Sequence, residues 1–118
     1  MKPEHLKIGI QGERLALRYL RRRGYRLAEK NFRHRRHEID LIMQFRKTGT
    51  LVFVEVKART EGQTIAPFEA VTKQKQYYVR QAATAYLMQQ GSLEVPLRFD
   101  VVEVFLPSKR CHHIENAF

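Results

Sequence analysis

The run Thr50-Leu51-Val52-Phe53-Val54-Glu55-Val56-Lys57-Ala58 constrains the fold more than any other stretch of the chain. It is rich in β-branched residues and almost continuously apolar, broken only by Glu55 and Lys57. A strand that is apolar on both faces needs a cover on both faces. The run therefore predicts the middle strand of a sheet flanked by helices. Leu6, Ile10, Leu17 and Leu20, with Ala16 beside them, follow helical spacing, and Gly24 sits where a helix would stop, so a helix is expected from Leu6 to about Arg23. Tyr25 to Phe32 alternates weakly, as an edge strand does. Glu38 to Phe45 is a stronger strand, joined to the central run by the turn Lys47-Thr48-Gly49. Arg59 to Ala66 reads as a loop. Pro67 to Gln90 is largely helical, with Ala82, Ala83, Tyr86 and Leu87 facing inward and Gly91 at its end. Leu97 to Leu106 is a last strong strand, and the tail from Pro107 has at most one short strand around Ile114. The expected core is α/β, in the order αβββαβ. No repeat, linker or low-complexity segment divides it, so residues 1–118 are read as one domain.

Charge narrows the partner. Of the net +10, the segment from Arg14 to Arg36 supplies +9, with ten Lys and Arg against the single acid Glu29. A concentrated excess of this kind makes a local positive potential suited to a polyanion, and nucleic acid is the commonest. A merely solvated basic helix face is the plainer alternative. No stretch approaches the roughly 20 apolar residues of a membrane span, and Met1 to Ile10 has no apolar signal region. Cys111, the one cysteine, has no partner for a disulfide or a thiolate cluster, which points to a reducing, cytoplasmic setting.

Three acids stand where hydrophobes are expected. In the helical series 6, 10, 13, 17, 20 the middle member is Glu13. A buried carboxylate needs a cation or donors waiting for it, and a salt bridge to an arginine, or partial exposure near a groove, would explain Glu13 as well as a functional partner. Strand periodicity puts Glu55 and Lys57 on one face, their Cα atoms roughly 7 Å apart. Asp40 interrupts the short apolar strand Glu38-Ile39-Asp40-Leu41-Ile42, and the hairpin brings it within reach of Glu55. Two carboxylates on adjacent strands form the oxygen-rich pocket that Mg²⁺ uses, and a nearby ammonium suits a growing negative charge. His34 and His37, within the basic run Arg33 to His37, are read as phosphate contacts or an ordinary solvated loop. Tyr77 and Tyr78 could stack on bases, but on a helix one of the two is expected to pack and the other to be exposed. Asp100 is expected to be structural, paired with Arg98 or another arginine.

A wider set of residues carries a family resemblance. Gly12-Glu13 with Ala16 and Tyr19-Leu20, Gly24-Tyr25, Asn31-Phe32-Arg33, Glu38-Ile39-Asp40-Leu41-Ile42, Phe53-Val54-Glu55-Val56-Lys57 with Arg59, Ala70-Val71 with Lys75, Arg98-Phe99-Asp100-Val101-Val102 and Ala117-Phe118 together resemble the YraN-like family of small bacterial proteins. That resemblance implies a restriction-endonuclease-like fold, similar to archaeal Holliday-junction resolvases. It maps Asp40, Glu55 and Lys57 onto the acid, acid and lysine of the PD-(D/E)xK nuclease motif and Glu13 onto the glutamate of the first helix. It also favours Lys75 as a further polar contact on the second helix. The chain departs from the family at His37, where glycine is usual.

The reading that follows is a metal-dependent endonuclease acting on DNA, selective for branched, nicked or junction structures. Asp40, Glu55, the Val56 carbonyl and Glu13 would hold Mg²⁺ or Mn²⁺, and Lys57 would position the attacking water. Arg18, Arg22, Arg33, Arg35, Arg36, His37, Arg59 and Lys75 would hold the DNA. A homodimer would suit a two-fold junction, although nothing in the sequence fixes an interface. The competing reading is a nucleic-acid-binding module that keeps the fold and cuts nothing.

Overall fold

The computed structural model describes residues 3–62, 72–91 and 94–118. Helix α1 (Glu4–Arg22) leads into a five-stranded sheet of β1 (Tyr25–His34), β2 (His37–Phe45), β3 (Leu51–Thr60), β4 (Leu97–Leu106) and β5 (Arg110–Ile114), with α2 (Lys73–Gln90) between β3 and β4. Strand order follows chain order. β1–β2, β2–β3 and β4–β5 are antiparallel, and β3–β4 is parallel across the α2 crossover. The αβββαβ core is as expected, with β5 added as a second edge strand. Pro67 to Val71, the start of the expected second helix, lies outside the described residues; Thr72 is its extended N-cap and the helix runs from Lys73.

The central run becomes β3, and its alternation serves two cores. Val52 and Val54 pack with Ala16 and Leu20 of α1, whereas Phe53 packs with Val79, Ala82, Ala83 and Tyr86 of α2. Burial of these side chains on both faces is the main stabilising contribution, at about 1.5–3 kcal/mol for each large apolar group. No helix among the described residues is long and apolar enough to cross a membrane.

The first helix presents a different face from the one its apolar spacing suggested. Leu6 and Ile10 are exposed, and the contact line runs through Gly12, Ala16 and Leu20. A Cβ on Gly12 would lie 2.8 Å from the Cβ of Ala58, so the bare backbone of α1 rests on β3 at this point. Glycine adds nothing to a hydrophobic stripe, so apolar spacing alone put the stripe about one residue out of place. Glu13 consequently stands on the flank of the buried line, half-buried at the margin of the sheet.

Asp100 is fully buried and fully paired. Arg98 donates to it from Nε and Nη2 at 2.9–3.1 Å, His113 Nε2 lies 2.7 Å from Oδ2, and the Asn116 N–H donates to Oδ1 at 3.1 Å. Arg98 also donates to the Tyr25 hydroxyl, tying the first strand to the last two. Burial alone would raise the Asp100 carboxyl, but the bonds from His113 and Arg98 hold it below the ordinary aspartate value. Its role is structural, as the sequence suggested.

Candidate metal centre

The ladder between β2 and β3 runs from Gln44↔Leu51 to Leu41↔Val54. One step further the strands part, and the Val56 N–H donates to Asp40 Oδ2 at 2.8 Å. Local irregularity in β1 and β2 prepares this fork. Ile39 packs on the α2 side and Leu41 on the α1 side although they are two residues apart, so the alternation of β2 breaks at Asp40. Opposite it, between the pairs Lys30↔Leu41 and Phe32↔Ile39, Asn31 has a left-handed φ of 53°. Asparagine tolerates that region better than most residues.

Asn31 puts the conformation to use. Its Nδ2 donates to Glu13 Oε1 at 2.9 Å and to Glu38 Oε1 at 3.1 Å, joining α1 to β2. Arg33 holds the other oxygen of Glu38 at 3.3 Å. The outcome is a group of three carboxylates, Glu13, Glu38 and Asp40, each with an oxygen within 4.8 Å of the others.

Glu55 and Lys57 come up beside this group from β3, on the α2 side that Phe53 also faces. Glu55 is not one of the three; its Oε1 lies 3.7 Å from Lys75 Nζ in the first turn of α2. That turn is fixed by Thr72, whose hydroxyl accepts the Lys75 N–H at 3.1 Å. Burial, then the charge of Glu55, pushes the Asp40 carboxyl up to about 7, with Glu13 adding to the effect and the Val56 N–H and Lys75 opposing it. Glu55 is likewise raised by burial, against the pull of Lys75 and Lys57.

This donor set fits a hard divalent cation. All the side-chain donors of the group are carboxylate oxygens, no histidine or cysteine joins them among the described residues, and burial with the charge of Glu55 leaves Asp40 short of countercharge. Two residues quoted only for the resemblance had been given no role in the site: Glu38, which could have been assigned one from its spacing of two before Asp40, and Asn31, which orients Glu13 and Glu38 and whose backbone geometry leaves no mark in composition.

The expected DNA-binding residues divide. Arg18 and Arg22 lie on the exposed side of α1, where with Arg14 and Arg21 they line a shallow cleft, and Arg33, Arg35 and Arg36 are exposed around the β1–β2 turn. His37 is half-buried beside that turn. Arg59 is directed elsewhere: its Nε donates to Glu103 Oε2 at 2.9 Å, in a pair whose side chains are 19% and 7% exposed. Lys75 is engaged by Glu55.

Residues 12–104 match the sequence profile of the uncharacterised protein family UPF0102. A UPF0102 protein of Chlorobium phaeobacteroides strain BS1 is 42% identical over 119 residues, covering 94% of this chain and 93% of that one. One from Alkaliphilus oremlandii is 45% identical over 116 residues, covering 95% and 97%. One from Geobacter sulfurreducens is 45% identical over 118 residues, covering 97% and 91%.

Proposed function

Given that the chain belongs to the uncharacterised protein family UPF0102, we propose that it is a divalent-metal-dependent endonuclease acting on DNA. The observation that carries this reading is the meeting of Glu13, Glu38 and Asp40 at a strand fork, beside Glu55 and Lys57 of β3. The resemblance to the PD-(D/E)xK nucleases, carried by Glu13, Asp40, Glu55 and Lys57, supports the same reading. Glu13, Glu38 and Asp40, with Glu55 and the Val56 carbonyl alongside, would hold Mg²⁺ or Mn²⁺. When bound, such an ion acidifies its water and polarises a phosphoryl oxygen.

The protein's own groups do the rest. Asn31 keeps Glu13 and Glu38 facing the fork. The Val56 N–H fixes the orientation of Asp40. Lys57 orients the attacking water, and Lys75 restrains Glu55. Arg18 and Arg22 of α1, with Arg33, Arg35, Arg36 and His37 around the β1–β2 turn, hold phosphates of the backbone. These are contacts to charge and shape, with few groups suited to reading base edges, so selection is by DNA structure, as at branches, nicks or junctions.

The test is cleavage of branched and linear DNA as Mg²⁺ or Mn²⁺ is titrated into the purified protein, with Asp40→Asn and Lys57→Ala as controls. Metal-dependent cleavage lost in both variants is expected; cleavage that persists in both overturns the site. Salt-dependent DNA binding with no turnover would leave a binding module on a nuclease scaffold.

A further inference from the structure

The turn joining β1 to β2 consists of Arg35 and Arg36, with Arg35 held at a φ of 58° and no glycine to relieve it. Strain of this kind persists only where surrounding structure over-determines it. Here the turn lies against α2, and the His37 ring lies flat on Tyr78, with centroids 3.8 Å apart and planes 12° apart. Tyr77 meets Tyr78 edge-on at 5.5 Å and is 56% exposed, its hydroxyl accepting a hydrogen bond from Gln81 at 2.7 Å. His34, Arg35, Arg36, His37, Tyr78 and Gln81 line an open cavity of about 240 Å³.

Among the described residues no carboxylate lines this cavity, and its two arginines, Arg35 and Arg36, are exposed beside the stacked rings of His37 and Tyr78. Guanidinium groups take phosphate oxygens in bidentate fashion, and flat aromatic rings take the face of a nucleobase. A paired base inside a duplex offers no free face, whereas an unpaired one does. The position is also informative. His37 directly precedes Glu38 of the acid cluster, and Tyr78 stands three residues beyond Lys75 on the same side of α2, within one helical turn of about 5.4 Å.

We propose that the cavity between the β1–β2 turn and α2 holds an unpaired nucleotide of a DNA strand that continues into the acid cluster. The substrates are then DNAs with a single-stranded segment beside the cleavage point, such as flaps and splayed junction arms. This inference rests on the DNA-cleaving reading above and narrows its substrate.

Fluorescence anisotropy with EDTA present would compare a blunt duplex with the same duplex carrying a single-stranded flap, for the wild type, Tyr78→Ala and Tyr78→Phe. The flap DNA is expected to bind about tenfold more tightly. Tyr78→Ala should abolish that preference with duplex affinity unchanged, and Tyr78→Phe, which keeps the ring, should retain it. Equal affinity for the two DNAs, or an equal loss on both in a Tyr78→Ala protein that is folded by circular dichroism, overturns the proposal. An RNA flap preferred over the DNA flap overturns the assignment to DNA. Adding Mg²⁺ separates the two readings: cleavage without flap preference refutes only the nucleotide cavity, and flap preference without cleavage refutes only the nuclease.

Discussion

The Val56 N–H donates to the Asp40 carboxylate at 2.8 Å across the gap where β2 and β3 cease to pair. A backbone donor that would otherwise continue the ladder is satisfied by a side chain instead, so the strands separate with no unpaired donor at Val56. The same bond aims Asp40 at Glu13 and Glu38. Fold and candidate chemistry meet in one contact.

Metal-free stability should fall as pH rises. Asp40 is pushed up to about 7 from an ordinary 3.8, so between those values the folded chain holds a proton that the unfolded chain has released. The stabilisation contributed by the protonated group is complete below about pH 4 and lost as pH approaches 7. Glu55, also raised, acts in the same direction. Melting in EDTA should therefore occur at a lower temperature at about pH 8 than at about pH 5.5. Asp40→Asn should flatten the difference and raise the melting temperature at the higher pH. An unchanged pH profile in that variant would contradict the assignment.

Mg²⁺ or Mn²⁺ should reverse this loss. A cation that binds only the folded chain stabilises it by about 2.7 kcal/mol at 100 times its Kd. Calorimetry should detect binding that is lost in Asp40→Asn and Glu13→Gln, and weakened about 10-fold or more in Asn31→Ala, whose side chain orients two of the carboxylates.

Gly12→Ala tests the seat of α1. Alanine gains about 1 kcal/mol of helix propensity, but its Cβ would lie 2.8 Å from that of Ala58, and overpacking costs about 1–3 kcal/mol. A net destabilisation of about 1 kcal/mol in urea is expected, accompanied by weaker metal binding because Glu13 moves with the helix.

Asp100→Ala should cost about 3–5 kcal/mol by leaving Arg98 buried without its main partner. Asp100→Asn, which keeps the shape, should cost less. In any folded variant, metal affinity should be unchanged, since this network is separate from the three acids.

Replacement of Arg18 or Arg22 by alanine should weaken DNA binding on all sequences alike and lower the slope of log affinity against log salt by about 1 each. Arg59→Ala, by contrast, should lower stability by leaving the buried Glu103 with His112 in place of its guanidinium partner, and should leave the salt slope alone.

Much of the architecture was legible from residue order. The two-faced apolar run at β3, the Lys47-Thr48-Gly49 turn and the alanine-rich inner face of α2 are local signals, and the elements formed there, with β3 running two residues further, through Arg59 and Thr60, than the expected loop allowed. Asp40 and Glu55 were recognisable as misplaced acids within apolar strands. The true contact face of α1 was hidden because Gly12 contributes by lacking a side chain. Glu38 and Asn31 entered only as part of the family resemblance and were given no role in the site: Glu38 was legible from its spacing to Asp40, whereas Asn31 acts through a left-handed backbone that residue order does not report.

The sequence by itself determined the elements, their order and the concentration of charge, since periodicity and composition are properties of neighbouring residues. Only the tertiary structure decided which carboxylates meet. That choice depends on where β2 and β3 part, on the left-handed backbone at Asn31 and on how closely α1 rests on Ala58. These are contacts between segments distant along the chain, fixed by packing and hydrogen-bond satisfaction across the whole fold.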